Sequence, residues 1–287
     1  MLVTLNDVLV KARMEQYAVP AFDCMEDLLI RPILDACEEL NSPVILMALE
    51  HDLKGRGFDY IASIVKGVAP KYNIPIVLHL DHANEFELIE RAIEYGFTSV
   101  MYDGSNLSFE ENIENTRRVV RLAHSKGISV EAELGRVAGK ELEGQDSGEM
   151  KLTNPNDVSR FIEDTQVDAL AVSIGTAHGI YESTPNLNIE ILKEINRISK
   201  VPLVLHGGSG TPANQIQNAI KNGISKINLY ADIRIAMMKG LKKAIELENR
   251  EDPVPDKLFK PVKDAIKNVV KDKIKMSMSE GKGKGLK

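Results

Sequence analysis

Short apolar segments alternate with longer amphipathic segments along almost the whole chain, and this alternation limits the folds that are open to it. Eight apolar stretches have the length and composition of buried β-strands. They cover residues 19–22, 43–49, 75–80, 98–102, 128–133, 169–174, 202–206 and 226–230.

Between these stretches, apolar residues recur at the spacing of one helix face. The predicted helices cover residues 31–40, 60–72, 85–95, 112–126, 155–164, 189–198 and 212–222, followed by 234–248 and 258–274. Strand–helix repeats are typical of a parallel sheet. Eight of them in 287 residues favour an α/β fold of the closed (β/α)8 TIM-barrel type over an open sheet. No Gly-x-Gly-x-x-Gly follows the first strand, so a dinucleotide-binding fold has little support.

We therefore expect one TIM-barrel domain over residues 1–287 with an additional C-terminal helix. The apolar stripe of that helix (Phe259, Val262, Ile266, Val269 and Val270) is longer than the barrel needs, which suggests packing on a second subunit in a homodimer or homotetramer. Residues 279–287 alternate glycine and lysine, and we expect them to form a flexible tail.

Composition limits the partners and the compartment. The formal net charge of −6 argues against nucleic acid as a partner. No apolar run reaches the roughly 18 residues of a membrane span, and the N-terminus lacks a signal-peptide pattern. With only Cys24 and Cys37, a disulfide framework is not expected, and the cytoplasm is the predicted location.

Polar side chains collect where the predicted strands end. Asp81 and His82 follow one strand, His206 ends another, His178 lies just beyond a third, and Glu133 ends a fourth. Parallel strands place their carboxyl ends on one edge, so three of the six histidines should converge there. Three imidazoles with one open position suit catalytic zinc. A structural role for any single histidine stays open, and for His51, His79 and His124 it is the interpretation we adopt.

Other residues near these strand ends have two interpretations each. The run Gly207-Gly208-Ser209-Gly210 opens a predicted helix and is either an anion cradle or a plain tight turn. Asp81 should not share a metal with His82, because successive strand side chains diverge, so a proton carrier is the better interpretation. The spacing of Asp103 and Glu133 is equally compatible with carboxylates that associate with a metal and with partners in structural ion pairs.

Seven motifs then give a resemblance. They are Val19-Pro-Ala-Phe22, His79-Leu-Asp-His82, Tyr102-Asp-Gly-Ser105, Val130-Glu-Ala-Glu-Leu-Gly135, Gly175-Thr-Ala-His-Gly179, Leu205-His-Gly-Gly-Ser-Gly210 and Lys226-Ile-Asn228. In this order they resemble the class II, zinc-dependent ketose-bisphosphate aldolases, which include the fructose- and tagatose-bisphosphate aldolases. The resemblance covers nearly the whole length.

The resemblance implies a role for each matching position. His82, His178 and His206 would hold catalytic zinc, and Asp103 and Glu133 match a second divalent metal position. Asp81 matches the proton donor and acceptor, and Glu141, in a long loop, matches the glutamate that exchanges a proton with the carbanion. Contacts to the dihydroxyacetone phosphate half match Gly179, Gly207, Gly208, Ser209, Asn228, Leu229, Tyr230 and Ala231. A monovalent cation, Na⁺ or K⁺, near the glycine turns is also implied.

The implied reaction is reversible cleavage of a ketose 1,6-bisphosphate to dihydroxyacetone phosphate and an aldehyde such as glyceraldehyde 3-phosphate. Several positions depart from the family pattern. Asp23 stands where the family usually has Asn, and Leu49 stands where many members have a Ser or Thr that contacts the aldehyde-side phosphate. The usual C-terminal basic motif appears as Ser279-Glu-Gly-Lys282, which makes Lys282 a candidate contact to the distal phosphate.

Four alternatives remain at this point. The substrate is a ketose 1-phosphate if Leu49 marks an aldehyde half that carries no phosphate or another group. A non-catalytic sugar-phosphate-binding relative would share the motifs. A metal-dependent hydrolase on the same barrel would need a His-x-His pair on the first strand, which residues 19–23 lack. A Schiff-base aldolase would need a strand lysine, and Lys226 opens the last predicted strand at its wrong end.

Overall fold

The computed structural model describes residues 1–139, 148–179, 181 and 183–284. Its helices are α1 (Leu5–Glu15), α2 (Asp27–Glu39), α3 (Gly57–Val68), α4 (Phe86–Tyr95), α5 (Phe109–His124), α6 (Pro155–Thr165), α7 (Ile189–Ile198), α8 (Ala213–Lys221), α9 (Ala231–Leu247) and α10 (Pro255–Met276). Its strands are β1 (Val19–Asp23), β2 (Val44–Ala48), β3 (Ile76–Ala83), β4 (Ser99–Tyr102), β5 (Ser129–Leu134), β6 (Ala138–Gly139), β7 (Ala169–Val172), β8 (Ala177–His178), β9 (Leu203–Leu205) and β10 (Ile224–Leu229).

Eight of the described strands close into a barrel in the order β1-β10-β9-β7-β5-β4-β3-β2, and each barrel pair is parallel. The two-residue strands β6 and β8 pair with each other outside this ring. The predicted TIM barrel with an additional C-terminal helix, α10, is thereby confirmed.

Successive residues of the barrel strands face opposite sides, as the period of two requires. Phe22, Leu46 and Leu78 belong to the large apolar core that lies between the strands and the surrounding helices. Ala21 and Ile45 belong to a smaller apolar cluster inside the barrel. Because both faces are buried, these strands appear in the sequence as nearly continuous apolar runs.

Helix α1 closes the amino-terminal end of the barrel. Its Leu5, Val8 and Leu9 are fully buried in the interior cluster with Val19 and Ile45. The helix begins with a capping box, in which the Thr4 side chain accepts a hydrogen bond from the Asp7 amide and the Asp7 carboxylate accepts one from the Thr4 amide. Polar side chains can therefore approach a ligand only from the carboxyl ends of the strands.

The stripe of α10 packs mainly within its own chain. Val262, Ile266 and Val270 are fully buried, and α10 packs against α2 and α9. Phe259, at the start of the stripe, is 40% exposed. The stripe is therefore used largely for intramolecular packing, which differs from the expected second-subunit contact.

Residues 279–284 also differ from the expected flexible tail. The Ser279 hydroxyl lies 2.8 Å from that of Ser42, and the Gly281 and Gly283 amides donate to the carbonyls of Leu40 and Asn41 at 2.9 and 2.7 Å. These contacts with residues 40–42 could not be predicted from the alternation of glycine and lysine. Residues 285–287 lie outside the described part of the chain.

None of the described helices is both long enough and apolar enough to cross a lipid bilayer.

Candidate metal centre and active site

An irregularity in β3 brings two neighbouring residues to the same site. The pairing of β3 with β4 shifts register between Leu80 and Ala83, and His82 has a left-handed φ of 49°. A bulge of this kind re-aims a side chain that a regular strand would turn away. As a result, His82 Nε2 lies 4.0 Å from Asp81 Oδ2. The two side chains therefore do not diverge as they would on a regular strand, but among the described residues no candidate metal group contains both, in line with the expectation that they do not share a metal.

The three histidines predicted to bind metal come together. One ring nitrogen from each of His82, His178 and His206 lies within 4.8 Å of the others. The distance between His82 Nε2 and His206 Nδ1 is 2.7 Å. His82 comes from β3, His178 from β8 and His206 from the residue after β9, so three separate stretches of chain build one cluster.

In two of the rings, the nitrogen that points away from the cluster (the outer nitrogen) has a carboxylate partner. That partner determines whether the nitrogen that points into the cluster (the inner nitrogen) carries a hydrogen or a lone pair. His82 Nδ1 lies 2.9 Å from Asp103 Oδ2, and His206 Nε2 lies 2.9 Å from Glu131 Oε1. An ionised carboxylate can only accept, so each outer nitrogen donates, and in a neutral ring the inner nitrogen then carries a lone pair. Two facing lone pairs at 2.7 Å repel each other, and a shared proton or a metal ion between them relieves that repulsion. Neutral imidazoles oriented by carboxylates are the usual ligands of zinc, so these residues fit a divalent transition metal.

Asp103 and Glu133 flank the histidine cluster. Together with His82 they form a second group whose ligand atoms lie within 4.8 Å of one another. Glu133 is buried and its Oε1 accepts from the Val137 amide at 3.0 Å, while its Oε2, 4.0 Å from His206 Nδ1, has no hydrogen-bond partner among the described residues. Burial and the charge of Asp103 raise the pKa of Glu133 to about 7. A cation at this position would relieve that cost, which also fits a metal.

Asp81 is held in a fully buried position by Asn228. The Asn228 side-chain amide donates to Asp81 Oδ2 at 2.9 Å. Burial acts to raise the pKa of Asp81, but its electrostatic interactions with His82 and Lys226 lower it well below its usual range. The carboxylate is therefore ionised and oriented beside the histidine cluster.

Sequence reasoning missed a buried charged cluster beneath the histidines. Glu131, His79 and Lys226 are all fully buried, and Lys226 Nζ lies 2.7 Å from Glu131 Oε2. Burial acts to raise the pKa of Glu131, but the charge of Lys226 lowers it to about 2. Glu131 could have been found from its spacing, since it lies two residues before Glu133 and so faces the same side of β5.

The sequence suggested that Lys226 is the first residue of its strand, but it is not. β10 begins at Ile224, which places Lys226 inside the strand with its side chain in the barrel. Its ammonium is engaged by Glu131, so it is not presented as the nucleophile that a Schiff-base mechanism requires.

The glycine turn after His206 approaches its neighbours closely. A Cβ on Gly207, which has φ 66°, would lie 2.4 Å from the Ala177 carbonyl oxygen, and one on Gly208 would lie 2.4 Å from Ile227 Cγ2. Only glycine fits at these two positions. Tyr181 links the turn to β8: its hydroxyl donates to the Gly207 carbonyl at 2.8 Å and accepts from the Ala177 amide at 2.9 Å. No motif in the sequence indicated this residue.

The other predicted contact residues surround this turn. Gly179 follows His178 with φ 92°, and Ser209 Oγ accepts from the Asp232 amide at 3.3 Å, which joins the turn to the start of α9. Ala231 is the first residue of α9. The Leu229 side chain is buried in the outer core and that of Tyr230 in the inner cluster, so they present backbone rather than side chains.

The two residues predicted to contact the distal group of the substrate, Leu49 and Lys282, lie in different parts of the molecule. Leu49 follows β2, and its side chain is buried in the inner apolar cluster. Lys282 is not brought to the site: its Nζ lies 2.9 Å from Glu15 Oε2 and 5.5 Å from the centre of the Tyr17 ring, at the opposite end of the barrel. The sequence motif suggested a phosphate contact, but the chain leads this lysine to α1. Glu141 lies outside the described residues.

The remaining histidines have structural partners, in line with the interpretation adopted for them. His79 Nδ1 lies 2.8 Å from the Ser99 hydroxyl, and the exposed His124 lies 2.8 Å from Asp168. His51 lies 2.9 Å from Asp52.

Comparison with known proteins agrees with this geometry. A family model described as class-II fructose-bisphosphate aldolase matches residues 3–282. A fructose-bisphosphate aldolase of Helicobacter pylori strain J99 is 40% identical over 98% of this chain and 100% of its own length. One of Staphylococcus aureus strain Mu50 is 40% identical over 96% of each chain.

Solved structures show the same likeness. The YdjI aldolase of Escherichia coli K12 superposes with a TM-score of 0.88 at 34% identity, over 99% of this chain and 100% of that one. With the family model matched over nearly its whole length and relatives at 40% identity, the chain belongs to the class II fructose-bisphosphate aldolase family, a family of lyases.

Proposed function

We propose that this protein is a zinc-dependent aldolase that reversibly cleaves a ketose 1,6-bisphosphate, of the fructose or tagatose type, to dihydroxyacetone phosphate and an aldehyde such as glyceraldehyde 3-phosphate. The observation that carries the proposal is the pair of inward-facing nitrogens of His82 and His206, 2.7 Å apart, with His178 beside them and the Asp81 carboxylate 4.0 Å from His82 Nε2. This arrangement supports a role for the three histidines as metal ligands and for Asp81 as a base beside them.

His82, His178 and His206 would hold the zinc ion. A bound zinc ion supplies Lewis-acid stabilisation of negative charge on the substrate oxygens. The protein keeps the ligand rings in place through Asp103 and Glu131, which accept from the outer nitrogens of His82 and His206. Asp103 and Glu133, with His82, are the proposed second divalent position.

The chain's own residues then move the protons. In the cleavage direction Asp81, ionised and held by Asn228, would take the proton from the C4 hydroxyl as the C3–C4 bond breaks. Its low pKa makes it a weak base in isolation, and burial within the site offsets this by excluding competing water. We assign the return of a proton to the carbon of the dihydroxyacetone phosphate half to Glu141, as the family motif indicates.

The phosphate of the dihydroxyacetone half would bind at the glycine turn. Ser209 lies at the amino-terminal end of α9, where backbone amides and the helix dipole favour an anion. Gly179, Gly207 and Gly208 would supply further contacts. Asn228 links this region to Asp81, and the segment 228–231 completes the cradle. We also propose that a Na⁺ or K⁺ ion binds near these glycine turns.

The test is direct detection of the product. Purified protein should release dihydroxyacetone phosphate from at least one ketose phosphate in a panel of fructose and tagatose 1,6-bisphosphates and 1-phosphates. The triose phosphate is measured by coupling its reduction to NADH oxidation. Zinc-loaded protein that releases no triose phosphate from any member of the panel would contradict the proposal and favour a non-catalytic sugar-phosphate-binding relative.

A second candidate, cleavage of a ketose 1-phosphate, is favoured by Leu49. Its side chain is buried and apolar at the end of β2, where it cannot donate a hydrogen bond to a distal phosphate. On this candidate, kcat/KM for fructose 1,6-bisphosphate should not exceed that for fructose 1-phosphate. Leu49→Ser should then raise kcat/KM for the bisphosphate roughly tenfold, since a hydrogen bond to a charged group contributes about 1.5 kcal/mol or more. A strong preference of the unmodified enzyme for the bisphosphate would remove this candidate.

We also propose a homodimer or homotetramer. Large apolar side chains remain exposed on α9 and in the segment leading into α10, including Met238, Ile245, Leu247 and Val254. Exposed apolar side chains of this kind are available for a protein–protein contact between copies of the chain.

A further inference from the structure

Lys226 is a buried charged residue inside the barrel to which the proposed reaction assigns no role. Its side chain is fully buried. Its ammonium nitrogen lies 2.7 Å from Glu131 Oε2, 3.4 Å from His79 Nε2 and 3.9 Å from Asp81 Oδ1. A charge buried at this depth costs free energy unless every partner is well placed, so its retention calls for a function.

The partners of Lys226 have the geometry of a small cation site. The ligand atoms of His79, Asp81 and Glu131 lie within 4.8 Å of one another, close enough to hold a metal ion. The Lys226 ammonium lies within 4 Å of an atom of each of them. The position that His79, Asp81 and Glu131 would offer to a metal ion is therefore taken by the Lys226 ammonium, a positive charge that is covalently attached to β10.

Glu131 connects this tethered charge to the metal centre. Its Oε2 faces Lys226 at 2.7 Å, and its Oε1 accepts from His206 Nε2 at 2.9 Å. Because His206 donates through Nε2, its Nδ1 points at His82. Lys226, Glu131 and His206 thus form a continuous chain from the barrel interior to the metal-binding nitrogen.

We propose that Lys226 is a positioning residue of the metal centre, whose ammonium holds the Glu131 carboxylate in the orientation that fixes the His206 ring with Nδ1 toward the metal. The inference rests on the proposed function only in assuming a metal at the three histidines. Lys226 touches neither that metal nor the substrate, and acts through Glu131. Partners of this kind, behind a ligating histidine, typically change metal affinity by 10- to 100-fold.

The experiment measures Zn²⁺ affinity by competition with a chromophoric chelator, and the visible absorption of the Co²⁺-substituted protein, which reports ligand geometry. Lys226→Met should raise the Kd for Zn²⁺ roughly 10- to 100-fold and shift the Co²⁺ bands. Lys200→Met is the matched control, because it breaks a 2.8 Å lysine–glutamate pair with Glu163 on the surface. It should leave the Kd and the bands unchanged.

The double variant Lys226→Met/Glu131→Gln separates positioning from folding, and serves if the single variant does not fold. It removes both buried charges, so the unfolding midpoint should recover toward that of the unmodified protein. The Kd for Zn²⁺ should stay raised, because a neutral, untethered amide no longer orients His206. A double variant that recovers both the midpoint and the Kd would show that Lys226 only balances charge, and would overturn the inference.

Two further results distinguish this inference from the proposed function. Lys226→Met protein that folds and binds Zn²⁺ as tightly as the unmodified chain overturns the inference, as does an unmodified chain with no measurable Zn²⁺ affinity. Tight, Lys226-dependent Zn²⁺ binding without cleavage of any ketose phosphate would overturn the proposed reaction and support the positioning role.

Discussion

Replacement of His178 with alanine is expected to remove zinc and aldol cleavage together. His178 supplies one of the three converging ring nitrogens, and it comes from β8 outside the barrel, so its loss leaves two protein ligands. Catalytic zinc ordinarily has three protein ligands, and two should not retain it against dilution. The zinc content should fall from about one per chain to near zero, and cleavage should fall to background.

The matched control for this variant is His124→Ala. His124 is 41% exposed on α5 and pairs with Asp168, far along the chain from the cluster. The His124→Ala variant should keep both its zinc and its cleavage activity. Removal of zinc from the unmodified protein by a strong chelator should reproduce the His178→Ala result, and added Zn²⁺ should restore cleavage only in the unmodified protein. Full cleavage after exhaustive chelation would contradict the metal-dependent mechanism.

Replacement of Asp81 with asparagine is expected to separate metal binding from chemistry. Asparagine keeps the shape of the side chain and can still accept the hydrogen bond from Asn228, but it cannot take a proton from the C4 hydroxyl. General acid–base catalysis contributes roughly 10²- to 10⁴-fold, so kcat should fall by that factor while zinc content stays at that of the unmodified enzyme. Metal analysis and steady-state kinetics on the same preparation measure both.

Asp59→Asn provides the control, since Asp59 accepts a hydrogen bond from Tyr95 on the outer helices. It should change neither kcat nor zinc content. If Asp81→Asn instead lost zinc, Asp81 would be acting as a metal ligand, which the 4.0 Å approach of its Oδ2 to His82 Nε2 would then explain.

The barrel and the meeting of the three histidines could be predicted because both depend on the order of the chain. Strand–helix alternation determines the sheet, and a parallel sheet brings the ends of its strands together, whatever the side-chain details. The predicted strand over residues 75–80 and the observed β3 (Ile76–Ala83) differ by one residue at the start and three at the end. The comparison with fructose-bisphosphate aldolases supports the assignment of the family independently.

The features that could not be predicted depend on contacts between residues far apart in sequence. Helix α1 precedes the first strand and fits no strand–helix repeat, so its role in closing the barrel was not visible. The Lys226–Glu131 pair joins residues 95 positions apart, and Tyr181 joins the glycine turn to β8 through its hydroxyl. The path of Lys282 to Glu15 likewise depends on tertiary packing and not on its local motif.

The left-handed backbone of His82 has a consequence for attempts to make this protein more robust. A residue other than glycine in this conformation is held at a cost on the order of 1–3 kcal/mol, which the surrounding structure must offset. A design method that rewards regular geometry would straighten β3 at this point and gain thermal tolerance. The same change would rotate either the base or the ligand away from the substrate, so heat resistance obtained here would be obtained at the expense of turnover.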